Sequence, residues 1–222
     1  MELSIDTASS LASIALSSDG EVVGERSWEC RRNHTVELLP AIEALLVETR
    51  VQKADLSAIF VSIGPGMYTG LRVGISIAKG LAYALRIPLI GVGRLELDAY
   101  PHRAFDGDIV AIHRAGRGEL AWAAYRDDPW REVLAPQLSK PVELAGAVEE
   151  RTLFTGEIDD DLAAMLRAEL GNLASLAPLP AEGRAPALAA LGHQRLRGGH
   201  PAEPALLRPI YLRPPAIGPQ SP

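Results

Sequence analysis

Cysteine and aromatic residues are scarce in this sequence of 222 residues, which has one cysteine, Cys30, and 5% aromatic residues. A single cysteine excludes an internal disulfide and any metal site built from several thiolates. No apolar run approaches the ~18 residues that a membrane-spanning helix needs. The acidic opening at 1–6 also lacks the charge pattern of a signal peptide. We therefore expect a soluble, cytoplasmic protein with no membrane contact.

Basic residues are outnumbered as well, because 22 Lys and Arg stand against 28 Asp and Glu, for a formal charge of −6. A protein that binds nucleic acid by itself needs a local excess of Lys and Arg. Contact with RNA is therefore expected only indirectly, through a complex. Hydrophobic residues reach 47%, so the chain can form a core, and its length suits one large domain or two small ones.

The hydrophobic pattern of the first hundred residues predicts an antiparallel meander followed by alternating helices and strands. The pair Asp19-Gly20 separates two strand-like runs and favours a tight hairpin. The predicted strands are 3–7, 11–16, 21–28, 58–63 and 88–92, and the predicted helices are 35–50 and 70–85. Because helix–strand crossovers follow the meander, we predict an α/β fold in which helices flank a mixed sheet.

The second half repeats this order less regularly. Its predicted strands are 109–113, 120–125, 130–134 and 153–156, and its predicted helices are 141–151, 159–170 and 186–196. Turn formers dominate 100–108, so we place a boundary there. The predicted units are an N-terminal lobe at 1–102, a C-terminal lobe at 103–200 and an extended tail at 201–222, where seven of 22 residues are proline.

A glycine-rich segment, Gly64–Gly74, connects the strand predicted at 58–63 to the second helix. Free N–H groups at such a helix start can bind an anion. The segment is not a P-loop, because no Gly-Lys-Ser/Thr follows, and its glycine spacing differs from the dinucleotide pattern Gly-x-Gly-x-x-Gly. Phosphate binding is one interpretation of this loop, and close packing of the chain is the other.

Small residues recur every four positions along the second predicted helix. One row consists of Gly66, Gly70, Gly74, Ala78 and Ala82, and the adjacent row of Ser76, Gly80 and Ala84. Residues four apart share a helix face, and each glycine inside a helix costs ~1 kcal/mol relative to alanine. A closely approaching backbone would offset this cost, and it could belong to the chain's own sheet or to a partner chain.

We predict that a partner chain takes this place. On that interpretation Gly70, Gly74 and Ala78, with Ser76 and Gly80 beside them, allow close approach of the partner's helices. Apolar side chains of the first predicted helix would surround them as anchors, and these are Leu38, Ile42 and Leu45. Two helices from each chain would then form a four-helix contact.

Several stretches together resemble one known family. The most specific is the Gly64–Gly74 loop, and the others are Ile5–Ala8, Arg32–His34, Ile87–Val92, Gly118–Glu119 and Pro209–Arg213. They resemble the TsaB family, also called YeaZ. The resemblance implies an actin-like ATPase (ASKHA) fold of two lobes, each with a mixed sheet and flanking helices.

The resemblance also implies a role and partners. TsaB is a non-catalytic subunit of the complex that transfers a threonylcarbamoyl group to N6 of the adenosine beside the anticodon in tRNA. Its catalytic partner is the paralogue TsaD, and TsaE is the third component. The family dimerises through helices of the N-terminal domain, so a homodimer is expected where TsaD is absent, and tRNA is reached only through the complex.

The resemblance suggests where a nucleotide would bind. Actin-like enzymes hold phosphate and metal just after the first strand, at the positions of Asp6 and Thr7. Together with Gly64 and Gly66 these are the candidate nucleotide-binding residues.

The resemblance also indicates which chemistry is missing. TsaD carries a metal-binding His-x-x-x-His pair after the strand that follows its glycine loop, where this chain has Arg94 and Asp98. A guanidinium repels a metal cation, so we predict an ion pair on a helix surface instead. We expect no catalytic residue, no metal and no cofactor.

An enzyme remains the alternative, either an actin-like ATP-dependent phosphotransferase or a peptidase-like hydrolase. Asp6, Ser9, Ser10 and His34 could form a hydrolase set, but no Gly-x-Ser-x-Gly elbow accompanies them, and His34 is better placed to cap or pack a helix. In the family, the turn after the first strand of the second lobe often begins with an acidic residue. This chain has Arg114 at that position. The role of that carboxylate is therefore open in this chain.

Overall fold

A computed structural model describes residues 1–30, 33–178, 183–199 and 205–212. Its first sheet has the strand order β3-β2-β1-β4-β5. The strands are β1 (Glu2–Asp6), β2 (Leu11–Ser18), β3 (Glu21–Glu29), β4 (Ala58–Ser62) and β5 (Leu89–Val92). β1 pairs antiparallel with β2 and parallel with β4, so the sheet is mixed as predicted. All five residues of β1 are buried, which explains its central place.

The second sheet repeats this topology, with the strand order β10-β9-β6-β7-β8. Its strands are β6 (Asp108–Gly116), β7 (Glu119–Arg126), β8 (Arg131–Ser139), β9 (Thr152–Gly156) and β10 (Ala174–Leu176). β6 takes the place of β1, since it lies between an antiparallel and a parallel neighbour. The two halves of the chain therefore form two lobes of matching architecture.

The helices occupy matching positions in the two halves. They are α1 (His34–Thr49), α2 (Tyr68–Leu85), α3 (Arg94–Ala99), α4 (Pro141–Gly146), α5 (Asp160–Leu170) and α6 (Ala185–Arg197), with 3₁₀ turns at Lys53–Asp55, Tyr100–His102 and Gly171–Leu173. Every predicted strand and helix is present, although α4 ends before the predicted residue 151. β10 was not predicted, and α3 was anticipated only as the helix surface at Arg94 and Asp98, without bounds, because these elements are only three and six residues long.

The third helix of each half packs on the sheet of the other half. Leu95 and Ala99 of α3 pack against Ile109 and Ala123 of the second sheet. α6 covers the first sheet, where Gly192 lies so close to the Phe60 ring that a Cβ atom there would be 2.3 Å from it. The predicted boundary, which assigned α6 to the C-terminal lobe at 103–200, is therefore wrong for this helix. Hereafter the N-terminal lobe is the first sheet with α1, α2 and α6, and the C-terminal lobe is the second sheet with α3, α4 and α5.

The described part of the predicted tail, 205–212, runs along the N-terminal lobe. The N–H of Ile210 donates to the carbonyl of Ile63 at 2.7 Å, and Leu207 is buried in the core of this lobe. The prediction of a tail outside the core is therefore wrong for Leu207. Residues 201–204 and 213–222 of that tail lie outside the described residues.

Within the described ranges, no helix is both long and apolar enough to cross a membrane.

Candidate functional site

The glycine row of α2 packs against the chain's own first strand. A Cβ atom at Gly70 would lie 2.1 Å from the carbonyl oxygen of Thr7, and one at Gly74 would lie 2.2 Å from Thr7 Oγ1. The Thr7 hydroxyl donates to the carbonyl of Gly70 at 2.8 Å. The close approach that these glycines allow is therefore made by the end of β1, and not by a partner.

The predicted apolar anchors are interior residues too. Leu38, Ile42, Leu45 and Ala78 are each no more than 3% exposed and belong to the core of the N-terminal lobe. A side chain without accessible surface cannot contact another molecule. The prediction that these four residues, with Gly70 and Gly74, meet a partner is therefore wrong, because the helix faces that carry them bury their apolar surface against the first sheet.

The candidate nucleotide-binding residues do come together, at the junction of β1, β4 and α2. Their polar groups are engaged by the chain itself. Asp6 is fully buried and its Oδ1 accepts from the N–H of Ala8 at 3.0 Å. A Cβ atom at Gly66 would lie 2.2 Å from the carbonyl oxygen of Ala8, and Gly64 accepts from the N–H of Arg94 at 2.7 Å. The glycine loop is therefore a packed junction between neighbouring segments, and of the two interpretations of its sequence the structure favours close packing.

A buried set of charges lies between the lobes. Arg94 and Asp98 of α3 form the predicted ion pair. They are 1% and 0% exposed, so the prediction that this pair lies on a helix surface is wrong. Arg94 Nε lies 3.6 Å from Asp98 Oδ2. Arg184, which precedes α6, donates from Nε to Asp98 Oδ1 at 2.5 Å and from Nη1 to Asp6 Oδ2 at 3.4 Å. The sequence analysis missed Arg184, since a lone arginine before a helix belongs to no spacing pattern.

Glu157 extends this set into the C-terminal lobe. Its Oε1 accepts from Arg94 Nη2 at 2.6 Å, and its Oε2 lies 2.9 Å from His113 Nδ1. Burial raises the pKa of the Glu157 carboxyl, but the contact with His113, the charge of Arg94 and the N–H of Arg114 outweigh burial and hold that pKa well below its usual range. The Arg114 side chain pairs with Asp159.

Replacing Glu157 by glutamine should change the acid dependence of stability. The ordinary pKa of 4.5 is lowered in the folded state, so the ionised carboxyl stabilises the fold above pH 4.5 and this stabilisation is lost as the pH falls further. The difference in unfolding free energy between wild type and Glu157→Gln should be largest at neutral pH and should shrink below pH 4.5. Urea unfolding over a pH series measures it, with the exposed Glu149→Gln as control, and an unchanging difference would contradict the assignment.

A cavity of about 250 Å³ lies beside these charges, lined also by Ser9 and Ser10. The residues around it do not fit the metal that a histidine pair binds. Arg94 has no lone pair to offer, and the carboxylate of Asp98 already faces the guanidinium of Arg184. Across the described ranges no group of three His, Cys, Asp or Glu side chains is arranged to hold a metal.

The remaining candidates of the sequence analysis pack or pair within the fold. His34 is buried at the start of α1, with Nε2 3.3 Å from the Ser9 carbonyl, and this packing agrees with the prediction. Cys30 is buried as well, and burial together with Glu37 raises the pKa of its thiol to about 11. A thiol with so high a pKa is a poor nucleophile at neutral pH.

The outward faces of α1 and α2 expose apolar side chains instead. Large hydrophobic residues that are 45–83% exposed on these helices are Val36, Leu39, Val47, Tyr68 and Tyr83. The second small row, Ser76, Gly80 and Ala84, lies exposed among them. A Cβ atom at Gly80 would meet no atom within 4 Å. Nothing in the described chain requires a glycine there.

Comparison with known proteins agrees with this fold. A family model described as TsaD, tRNA N6-adenosine threonylcarbamoyltransferase, matches residues 22–213. The tRNA threonylcarbamoyladenosine biosynthesis protein TsaB of Bacillus subtilis (strain 168) is 34% identical, over 95% of this chain and 93% of that protein.

Solved structures lead to the same family. A Pseudomonas aeruginosa protein described as similar to peptidase YeaZ has a TM-score of 0.79 at 25% identity, over 96% of this chain and 99% of that one. The activator of 2-hydroxyisocaproyl-CoA dehydratase from Clostridium difficile, solved with bound ADPNP, has a TM-score of 0.54 at 9% identity, over 95% and 99% of the two chains, and shows the actin-like fold alone. Because a TsaB sequence and a YeaZ-like structure each match at least 95% of it, the chain belongs to the TsaB (YeaZ) family, within the wider group that the TsaD model describes.

Proposed function

We propose that this chain is a non-catalytic subunit in the biosynthesis of threonylcarbamoyladenosine in tRNA, and that it acts by binding TsaD. The main support for the absence of catalysis is the position of the Arg184 guanidinium. It lies between the lobes and pairs with the carboxylates that a catalytic site would need free. Arg184 lies between the buried carboxylates of Asp6 and Asp98. Neither carboxylate is left as a general base or a metal ligand, because each already compensates a buried positive charge.

The outward face of α1 and α2 supports the binding part of the proposal. An apolar groove of about 460 Å³ runs along α2, between Thr35, Tyr68 and Ile77. Tyr68 closes one end of it, where its ring lies 5.5 Å from the ring of Tyr211 and its hydroxyl accepts from Arg72 Nη1 at 2.6 Å. Contiguous apolar surface rimmed by polar groups is typical of a protein–protein interface.

TsaD is the partner that we assign to this face, and a second copy of this chain is the occupant when TsaD is absent. TsaE then joins the assembled pair, and tRNA is bound by the complex. The net charge of −6 supports the binding of tRNA by the complex and not by this chain alone, because an acidic chain does not attract the phosphate backbone. The B. subtilis relative, named for threonylcarbamoyladenosine biosynthesis, supports the pathway.

Depletion of the chain in its own cells tests the role. The threonylcarbamoyladenosine content of bulk tRNA, measured by mass spectrometry of nucleosides, should fall and should recover on re-expression of the wild-type chain. TsaD should be recovered when a tagged chain is isolated from these cells. The purified chain alone should turn over no ATP at the ~1–10³ per second that enzymes typically reach, and elemental analysis should find no stoichiometric metal.

Any of three results would overturn the proposal. An unchanged nucleoside content after depletion would remove the chain from this pathway. Rapid ATP turnover or a stoichiometric metal in the purified chain would instead favour the alternative, an actin-like phosphotransferase or hydrolase.

A further inference from the structure

Five charged side chains connect the two lobes in an unbroken sequence of alternating sign, and we name them the charge chain. They are Asp6, Arg184, Asp98, Arg94 and Glu157. Asp6 ends β1 in the N-terminal lobe, and Glu157 follows β9 in the C-terminal lobe. The charge chain therefore crosses from one lobe to the other.

Arg184 and Glu157 of the charge chain are each fixed to their own lobe by backbone hydrogen bonds. The N–H groups of Arg184 and Ala185 each donate to Ser13 Oγ in β2 at 3.1 Å, which fixes Arg184 to the N-terminal lobe. The N–H of Glu157 donates to the carbonyl of Ile112 in β6 at 2.8 Å, which fixes Glu157 to the C-terminal lobe. The crossing itself is made by the contact between Arg184 and Asp98.

That contact is buried on both sides. Arg184 is 5% exposed and Asp98 is 0% exposed. Arg184 places Nε 2.5 Å and Nη2 3.5 Å from the two oxygens of Asp98, and its Nη1 also donates to Ser9 Oγ at 2.9 Å. A planar guanidinium can satisfy two carboxylates in this way, whereas a lysine ammonium offers only a point charge.

A second ion pair joins α6 to α3 and provides a comparison. Arg195 of α6 pairs with Glu96 of α3, and their side chains are 35% and 13% exposed. Because water reaches Arg195, this pair should contribute less to stability than a fully buried one. Removing one partner of a buried pair is far more disruptive, since it leaves the other charge buried and uncompensated.

We infer that Arg184 locks the two lobes at a fixed angle by compensating Asp6 of one lobe and Asp98 of the other. The lock is internal and needs no ligand between the lobes. It goes beyond the proposed function, because it concerns the angle between the lobes whatever partner the protein binds.

The distance between the lobes tests the lock in the full-length protein. Spin labels at Val23→Cys in β3 and Val142→Cys in α4 report it by pulsed electron resonance, and both positions are exposed while Cys30 is buried. In Arg184→Ala the distance distribution should broaden, and the melting temperature should fall by roughly 10 °C. Millimolar guanidinium chloride, but not sodium chloride, should narrow the distribution again, because the free cation fits between the two carboxylates.

Arg195→Met is the matched control and should keep the wild-type distribution. The lock is overturned if Arg184→Ala keeps a narrow distribution, if Arg195→Met broadens it equally, or if guanidinium restores nothing. Should Arg184→Ala fail to fold, Arg184→Lys replaces it, since the lysine keeps the charge without bridging both carboxylates. A narrow distribution in that variant overturns the inference too.

Discussion

Replacing Gly74 by alanine should lower the free energy of unfolding by roughly 1–3 kcal/mol, the usual range for overpacking a tight site. The added Cβ would lie 2.2 Å from Thr7 Oγ1. Thr7 can move away only by giving up its hydrogen bond to the Gly70 carbonyl. For a chain of this size the melting temperature should fall by roughly 2–4 °C per kcal/mol, which a thermal melt of the isolated protein measures.

Gly80→Ala is the matched control, because it makes the same change on the opposite side of the same helix. The new methyl group meets no atom within 4 Å, and alanine favours a helix over glycine by up to ~1 kcal/mol. This variant should therefore melt at the wild-type temperature or above. Equal destabilisation by both substitutions would show that the two positions do not differ in packing as the structure indicates.

The sequence predicted the fold well where a periodic pattern extended over several turns or a full strand. α2 and β4 are examples, since helical spacing and a continuous apolar run leave few alternatives. The bounds of α3 were not predicted, because six residues, Arg94–Ala99, are too few to establish a period, and only the shared helix face of Arg94 and Asp98 was expected. The exchange of α3 and α6 between the lobes could not be predicted either, because amphipathicity shows that a helix has a buried face without showing which sheet covers it.

At the candidate site, too, the sequence pattern does not show which distant residues come into contact. The spacing of Arg94 and Asp98 indicates that they share a helix face. It does not indicate whether that face is exposed to solvent or buried. Arg184 lies far away in the sequence, and it brings a second positive charge to the buried carboxylate of Asp98. Only the folded chain brings these three residues together, so the contact between Arg184 and Asp98 had no signal in the sequence.

The two rows of small residues on α2 illustrate a choice that the sequence left open. Both rows have the same spacing, and both were predicted to meet a partner. The structure removes the row of Gly70 and Gly74 from that contact, because this row packs against Thr7. The other row, with Gly80 at its centre, remains exposed.

Replacing Gly80 by leucine should therefore weaken the proposed complex with TsaD while the isolated chain stays stable. A helical glycine without an intramolecular neighbour is unfavourable by ~1 kcal/mol relative to alanine, and close approach of a partner helix would offset that cost. A leucine at such a crossing point costs typically 1–3 kcal/mol through overpacking. At ~1.4 kcal/mol per tenfold change, the dissociation constant should rise by roughly 5- to 150-fold.

Isothermal titration of TsaD into the chain measures this change, and a thermal melt of each variant confirms that it is folded. Gly146→Leu in α4 is the control, because Gly146 is also exposed in a helix with no atom within 4 Å of a Cβ but lies on the C-terminal lobe. It should leave the affinity unchanged. If Gly80→Leu binds TsaD as tightly as wild type, the partner does not approach α2 along its exposed row, and the glycine there has no packing role.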